Sequence, residues 1–502
     1  MFGTAPPNIP TIMMESDMTS LLDAAHLDGR FFDGNWIEGG QGYDVLEPAT
    51  GAVLARAASV DAATVARTAA AARAAQQDWA AATPDVRAGV FVQAAALARA
   101  HGEEIVTWIM RESGSVRAKA EFELAITIKA IELAAAMPHQ AQGLVLPSEP
   151  GRLSLARRRP LGVVGVIAPF NFPLYLAMRA VAPALAVGNA VLLKPDPRTA
   201  ICGGLVIARL FEQAGLPAGV LSVLPGGGEA GAALCADPNV AMIQFTGSTG
   251  AGRKVGEAAS RHLKKVSLEL GGKNTLIILD DADLDLATRN AAWGAWLHQG
   301  QICMTAGRIL VHRAIFDAFA ARLADKAKAL PAGDPMSGTV AVGPLISQPQ
   351  LDHALDILDR SVAAGARILA GGTAQGLCLA PTVLDGVVPG MAAFEEEIFG
   401  PVAVLVPFDT DDEAVALAND TEYGLSAAVI SRDVGRAMAL GERLRAGLLH
   451  INDQTVNDEV VNPFGGVGAS GNGSAIGGPA NWEEFTHWQW VTIKGAAPAY
   501  PF

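Results

Sequence analysis

Between residues 161 and 270 the chain alternates short, predominantly apolar runs with helix-like segments, and that alternation leaves few folds open. The runs fall at 163–168, 190–193, 220–224, 241–245 and 266–270. A strand that is apolar at every position, rather than at every second one, is buried on both faces. Strands of that kind separated by helical stretches predict a parallel sheet with helices on both sides, hence an α/β fold. A second alternating block starts at Thr275-Leu276-Ile277-Ile278-Leu279 and continues to about residue 449. With 502 residues, two or three domains are expected rather than one core.

The flanking segments read differently. Residues 1–20 contain Pro and acidic residues, without a basic start and apolar centre, and read as a loose leader rather than a secretory signal. Phe31-Phe32-Asp33-Gly34-Asn35-Trp36-Ile37 has turn chemistry between apolar residues and predicts a hairpin edge. An Ala-rich region at 61–142, interrupted near Thr83-Pro84 and Gly114, predicts helices packed on a sheet. The stretches 143–159 and 481–494 read as strands outside either core, and we read them as an oligomerisation arm.

Charge and cysteine usage exclude several classes. Against 37 basic residues stand 51 acidic ones, a formal net charge of −14, which argues against nucleic acid or an anionic membrane as the main partner. The run Arg157-Arg158-Arg159 is short and predicts a solvated strand face or a subunit contact. Cys202, Cys235, Cys303 and Cys378 lack the spacing of a disulfide framework or a metal site. No apolar run approaches the ~20 residues that span a bilayer. A soluble, cytoplasmic protein without metal is expected.

Six segments carry chemistry. Leu268-Glu269-Leu270-Gly271-Gly272-Lys273-Asn274 sets a carboxylate beside two glycines, where backbone can approach a ligand. Gly300-Gln301-Ile302-Cys303 presents a thiol among small residues. A thiol that attacks a carbonyl needs a base to activate water and complete the turnover, and this pair can supply both. Phe245-Thr246-Gly247-Ser248-Thr249-Gly250-Ala251-Gly252 follows an apolar strand and opens a helix. Its backbone N–H groups and Ser248 suit a phosphate, although a plain turn fits the pattern equally well. Lys194, at the end of Val191-Leu192-Leu193, sits where parallel sheets bind ligands. Asn171, within Ala168-Pro169-Phe170-Asn171-Phe172-Pro173, is a stiffly held neutral donor suited to an oxyanion, or else a helix cap. Of the three acids in Phe394-Glu395-Glu396-Glu397-Ile398-Phe399, one carboxylate framed by apolar residues can point inward at ribose hydroxyls.

Taken in order, these segments resemble the NAD(P)-dependent aldehyde dehydrogenase superfamily over residues 31–494, and within it the benzaldehyde and vanillin dehydrogenase group. The narrower likeness rests on Lys194-Pro195-Asp196-Pro197-Arg198, Gly300-Gln301-Ile302-Cys303-Met304-Thr305, Asn452-Asp453-Gln454-Thr455-Val456-Asn457-Asp458 and Phe485-Thr486-His487-Trp488-Gln489-Trp490. The resemblance implies a Rossmann-type cofactor domain (21–142 and 160–269), an α/β catalytic domain (270–470) and a β-strand arm (143–159 and 481–502). It implies Cys303 as nucleophile, Glu269 as general base, and Asn171 with the Cys303 backbone N–H as oxyanion hole. Phe170, Lys194, Gly247, Ser248, Glu397 and Phe399 match cofactor-contacting positions. Phe172, Tyr175, Ile302, Met304 and Phe464, with Met178, flank the catalytic positions as an aldehyde pocket. A homodimer or homotetramer is implied.

Two departures from the family pattern matter. Pro197 stands where many relatives place a ribose-binding Glu, beside Arg198, which can attract a 2′-phosphate; NAD is the expected cofactor, with NADP the alternative. Ser474-Ala475 stand where many relatives carry a second Glu. The expected substrate is an aromatic aldehyde. The alternatives are an aliphatic aldehyde or a semialdehyde, for which Arg179 offers a cation, and a non-catalytic binding or structural member.

Overall fold

The computed structural model describes residues 20–502, so the expected leader, Ser20 apart, lies outside the described residues. Two large sheets organise the molecule. In the first, the strands Lys265–Glu269, Val240–Thr246, Val163–Ile167, Ala190–Lys194 and Leu221–Val223 lie side by side in that order, all parallel. Val163–Ile167 and Ala190–Lys194 are buried at every residue. Their unbroken apolar character reflects helices on both faces.

The sheet continues further than the sequence pattern reaches. Asp28–Phe32 pairs antiparallel with Leu221–Val223, and Val53–Ser59 and Gln41–Leu46 extend the edge. The hairpin expected around Asp33-Gly34-Asn35 is present, with Phe32 opposite Trp36. The Ala-rich region forms the helices Ala62–Ala81, Pro84–Ala100, Gly102–Ser113 and Arg117–Ala136, broken at the Thr83-Pro84 and Gly114 positions. Gly114 closes its helix at φ +66°, a left-handed cap.

The second sheet runs Arg367–Ala370, Thr382–Asp385, Val402–Phe408, Arg308–His312, Thr275–Ile278, Ser426–Ile430 and Leu448–Ile451. All its pairs are parallel except the first. A third, antiparallel sheet joins Gly143–Leu146, Arg152–Pro160 and Thr486–Lys494. The tail expected as strand from residue 481 is corrected in part. Ala480–Phe485 is a helix, with Phe485 fully buried in the first core, and the strand begins at Thr486. Within the basic run, Arg157 donates to Gln489, and Arg158 lies over the Trp488 ring and pairs with Glu483. Among the described residues no helix is long and apolar enough to cross a membrane.

The two large sheets meet at Glu269. It closes the last strand of the first sheet, and Thr275 opens the first strand of the second. Register places Ile167 opposite Lys194 and Phe245, and Thr246 opposite Glu269. The carboxyl ends of four strands are therefore aligned along one crevice, where open α/β sheets bind ligands.

Candidate active site

Phe170, Lys194, Gly247, Ser248, Glu269, Cys303, Glu397 and Phe399 all line one cavity of about 620 Å³ at those strand ends. Gly228 and Ser248, at the N-terminal ends of the helices Gly228–Ala236 and Thr249–Arg261, line it too. Ser248 is the N-cap of its helix; its hydroxyl oxygen accepts from Ala251 N at 3.4 Å. Gly252 lets that helix approach the strand end, because a Cβ there would collide with the Leu270 side chain.

The three acids separate as the sequence allows. Glu396 pairs outward with Arg360, Glu395 accepts from Gly390 N, and Glu397 turns inward. Glu397 Oε1 accepts from Gly272 N at 2.9 Å, and burial pushes its carboxyl up to about 7. Gly271 packs so closely on this carboxylate that a Cβ would strike it. Phe399 holds φ +52° and meets the Phe170 ring edge-on at 5.9 Å between centroids.

The thiol sits on a tightly held loop. His298 and Gln299 adopt φ +48° and +56°, a left-handed turn without glycine, and Gly300 continues it at +66°. Gln299 secures the turn by donating to Gly114 O and Pro344 O. Asn274 donates to Cys303 O at 2.7 Å and to Thr305 O at 2.9 Å. Gly272 must be glycine, since a Cβ would lie 2.7 Å from Cys303 O. Asn171 does not cap the helix that follows it; its Nδ2 donates to Gln301 O at 2.8 Å, beside the thiol loop.

Burial sets the electrostatics. It raises the Cys303 thiol, and the carboxylates of Glu397, Glu269 and Asp458 push the same way against Arg179. Glu269 is 5% exposed and neither carboxylate oxygen has a partner among the described residues. Burial holds its carboxyl well above the usual carboxylate range, opposed by Arg179.

A second cavity, of about 1130 Å³, opens on the other side of the thiol. Phe172, Tyr175, Ile302, Met304 and Phe464 line it, joined by Trp293 and Trp296. Cys303 and Asn171 line both cavities and so stand at their junction. Two expectations are corrected. Met178 is fully buried in the first core and does not line the pocket. Arg179 is not a free cation: it pairs with Asp458, donates to Tyr175 Oη at 3.1 Å and to Ile476 O at 2.9 Å.

Several groups at the site escaped the sequence reading. Lys119 and Glu123, fully buried on one helix, pair at 2.6 Å. Lys119 also donates to Asn171 O at 2.7 Å, while Glu123 accepts from Leu174 N and Tyr175 N. Their i,i+4 spacing was visible, but that spacing ordinarily marks a solvated pair. Asp458, quoted within a motif without a role, lines the second cavity.

A thiol at the meeting point of two cavities, one ending on helix N-termini and one apolar, defines an enzyme that binds two ligands either side of a nucleophile. Residues 36–491 match the aldehyde dehydrogenase family model, and the chain belongs to that family. It is 54% identical to a vanillin dehydrogenase of Amycolatopsis sp. over 96% of this chain and all of that protein. It is 47% identical to a benzaldehyde dehydrogenase [NAD(+)] of Pseudomonas putida, covering 94% and 98%. The fold matches a betaine aldehyde dehydrogenase from Staphylococcus aureus in complex with NAD+ at a TM-score of 0.92, with 30% identity and 95% and 97% coverage. The protein is an NAD(P)-dependent aldehyde oxidoreductase.

The 620 Å³ cavity fits that dinucleotide. Helix N-termini suit its pyrophosphate, and the inward carboxylate of Glu397 and the ammonium of Lys194 suit its ribose hydroxyls.

Proposed function

We propose that the protein oxidises aromatic aldehydes to carboxylic acids, with NAD as oxidant. The observation that carries this reading is the position of Cys303 at the junction of the two cavities, with Glu269 on the cofactor side. Cys303 Sγ attacks the carbonyl carbon and its proton leaves to a base. Asn171 Nδ2, with the Cys303 backbone N–H, stabilises the oxyanion. NAD, which Lys194, Ser248 and Glu397 would hold, would supply the hydride acceptor, and loss of that hydride leaves the acyl group on Cys303 Sγ as a thioester. Glu269 then takes a proton from water, the hydroxide displaces sulfur, and the acid departs.

The substrate class follows from the wall of the second cavity. Its aromatic and apolar side chains favour a flat ring. Arg179, the cation the sequence offers to a semialdehyde carboxylate, is engaged by Asp458 and does not line the cavity. NAD is favoured over NADP because Arg198, which lines the cofactor cavity, already has its charge met by Asp196 at 2.7 Å and its face on the Phe170 ring. The antiparallel arm supports a homodimer or homotetramer, and four unpaired thiols suit the reducing cytoplasm.

The test is reduced-cofactor formation from benzaldehyde, vanillin, hexanal and succinic semialdehyde, each with NAD and NADP. Highest kcat/KM on the aromatic pair with NAD is expected. Best turnover of succinic semialdehyde would overturn the aromatic reading while leaving the chemistry intact.

A further inference from the structure

Resting on the aromatic reading, we propose that Asp458 selects ring-hydroxylated aromatic aldehydes by accepting the phenolic O–H at its open carboxylate oxygen. The cavity wall around it is mostly apolar. Asp458 breaks that wall with a carboxylate whose side chain is 13% exposed. Its two oxygens differ. Oδ2 is occupied, taking Arg179 Nη1 and, at 3.1 Å, the Tyr175 hydroxyl. Oδ1 accepts from no group among the described residues and keeps accessible surface on a residue that lines the cavity.

The surroundings fix this carboxylate. Arg179 is pinned in turn by Ile476 O at 2.9 Å and lies over the Phe464 ring at 4.7 Å. Tyr175 cannot compete for a ligand, because its hydroxyl donates to Asp458 and accepts from Arg179. Of the other polar groups lining the cavity, Lys119 is committed to Glu123 and Asn171 O, Arg117 to Glu103, and Asn457 Nδ2 to Asp453, while Arg289 and Lys326 are cations that cannot accept a phenolic proton. A preorganised acceptor inside an apolar cavity discriminates strongly, because a substrate without the donor leaves it desolvated and unpaired. A hydrogen bond to a charged acceptor supports a preference of about ten- to a hundredfold.

The proposal is tested by kcat/KM for benzaldehyde, the 3- and 4-hydroxybenzaldehydes, and their methoxy counterparts. Methoxy donates electrons to the ring much as hydroxyl does but carries no proton, so the hydroxy-to-methoxy ratio isolates the hydrogen bond. For at least one isomer that ratio should be about tenfold or more. Asp458→Asn should bring it close to one, whatever happens to the absolute rate.

Should that variant fail to fold, the wild-type ratio followed against pH carries the test. A phenolate has no proton to give and is repelled by a carboxylate, so the ratio should fall as pH rises through the phenol's own pKa. The titratable groups around Asp458 are Arg179, Tyr175, Glu269, Cys303 and His450. They act on both substrates alike and cancel in the ratio. A ratio near one for both isomers, or one that climbs with pH, would overturn the proposal. Good turnover of benzaldehyde with no gain from hydroxyl defeats this inference alone; poor turnover of every aromatic aldehyde beside rapid hexanal oxidation defeats the reading beneath it.

Discussion

Cys303 and Glu269 share a property that works against both of them: each is buried where its charged form is disfavoured. The thiol is therefore protonated at neutral pH, and neighbouring carboxylates keep it so. Alkylation by iodoacetamide, mapped to Cys303, should accelerate about tenfold per pH unit and still be climbing above pH ~9. Glu269→Gln should speed alkylation only toward the alkaline end, where that carboxyl is ionised and is one of the charges that raise the thiol; a plateau near neutral pH would contradict this account. At Asn171 the expected loss is in the chemical step. Asn171→Ala should lower kcat by ~100–1000-fold while NAD affinity, read by calorimetry, stays near wild type. Glu397 supplies the opposite kind of test, since its carboxyl is pushed up to about 7. Below that value it is protonated and a poor acceptor for ribose hydroxyls; above it, ionised and a good one. NAD binding should therefore tighten by up to about tenfold between pH ~6 and ~8, and Glu397→Gln should flatten the profile.

The helix Pro173–Ala186 is held at its start by another helix rather than by its own cap. Glu123 accepts the N–H groups of Leu174 and Tyr175, and Lys119 ties the same carboxylate to Asn171 O. Removing one partner of a buried pair strands the other charge, at about 3–5 kcal/mol. Glu123→Ala should lower the melting temperature markedly and depress kcat together. Lys119→Met combined with Glu123→Gln should recover much of the stability without the rate, because Asn171 has still lost its anchor. Recovery of both would make the pair purely structural. This network was illegible in the sequence for a physical reason: Lys and Glu four apart on a helix normally face water, and only the fold shows them enclosed. Strands such as Val163–Ile167 were legible because burial on both faces leaves no polar residue in the run. Gln41–Leu46 and Val53–Ser59, partly exposed at the sheet edge, carry a mixed pattern with no such signature. Ala480–Phe485, six residues long, is too short for a helical period to separate it from the strand that follows.

At the scale of the whole molecule, the site exists because two sheets oppose different ends. The first presents its carboxyl ends at Lys194, Thr246 and Glu269, while the second presents the loop that leads into Arg308–His312 and carries Cys303. The residues of this crevice were readable one motif at a time, and the family likeness joined them. The Arg179–Asp458 lock was not readable, since its partners stand 279 positions apart in the chain. The arm raises the remaining question of scale. Its sheet has two open edges, Gly143–Leu146 and Thr486–Lys494, and carries Val145 at 75% and Trp490 at 68% exposure. Exposed apolar residues on unpaired edges are an association surface that a monomer would normally blunt with charge. Val145→Asp with Trp490→Asp places like charges there in a chain already at −14. Sedimentation should show the assembly shifting toward monomer. The effect should be greatest at low salt, where like charges repel over ~30 Å rather than ~8 Å. Turnover per subunit should change far less than the mass, because both cavities are lined without residues of the arm. An unchanged mass would mean that the edges are covered by something other than a second copy.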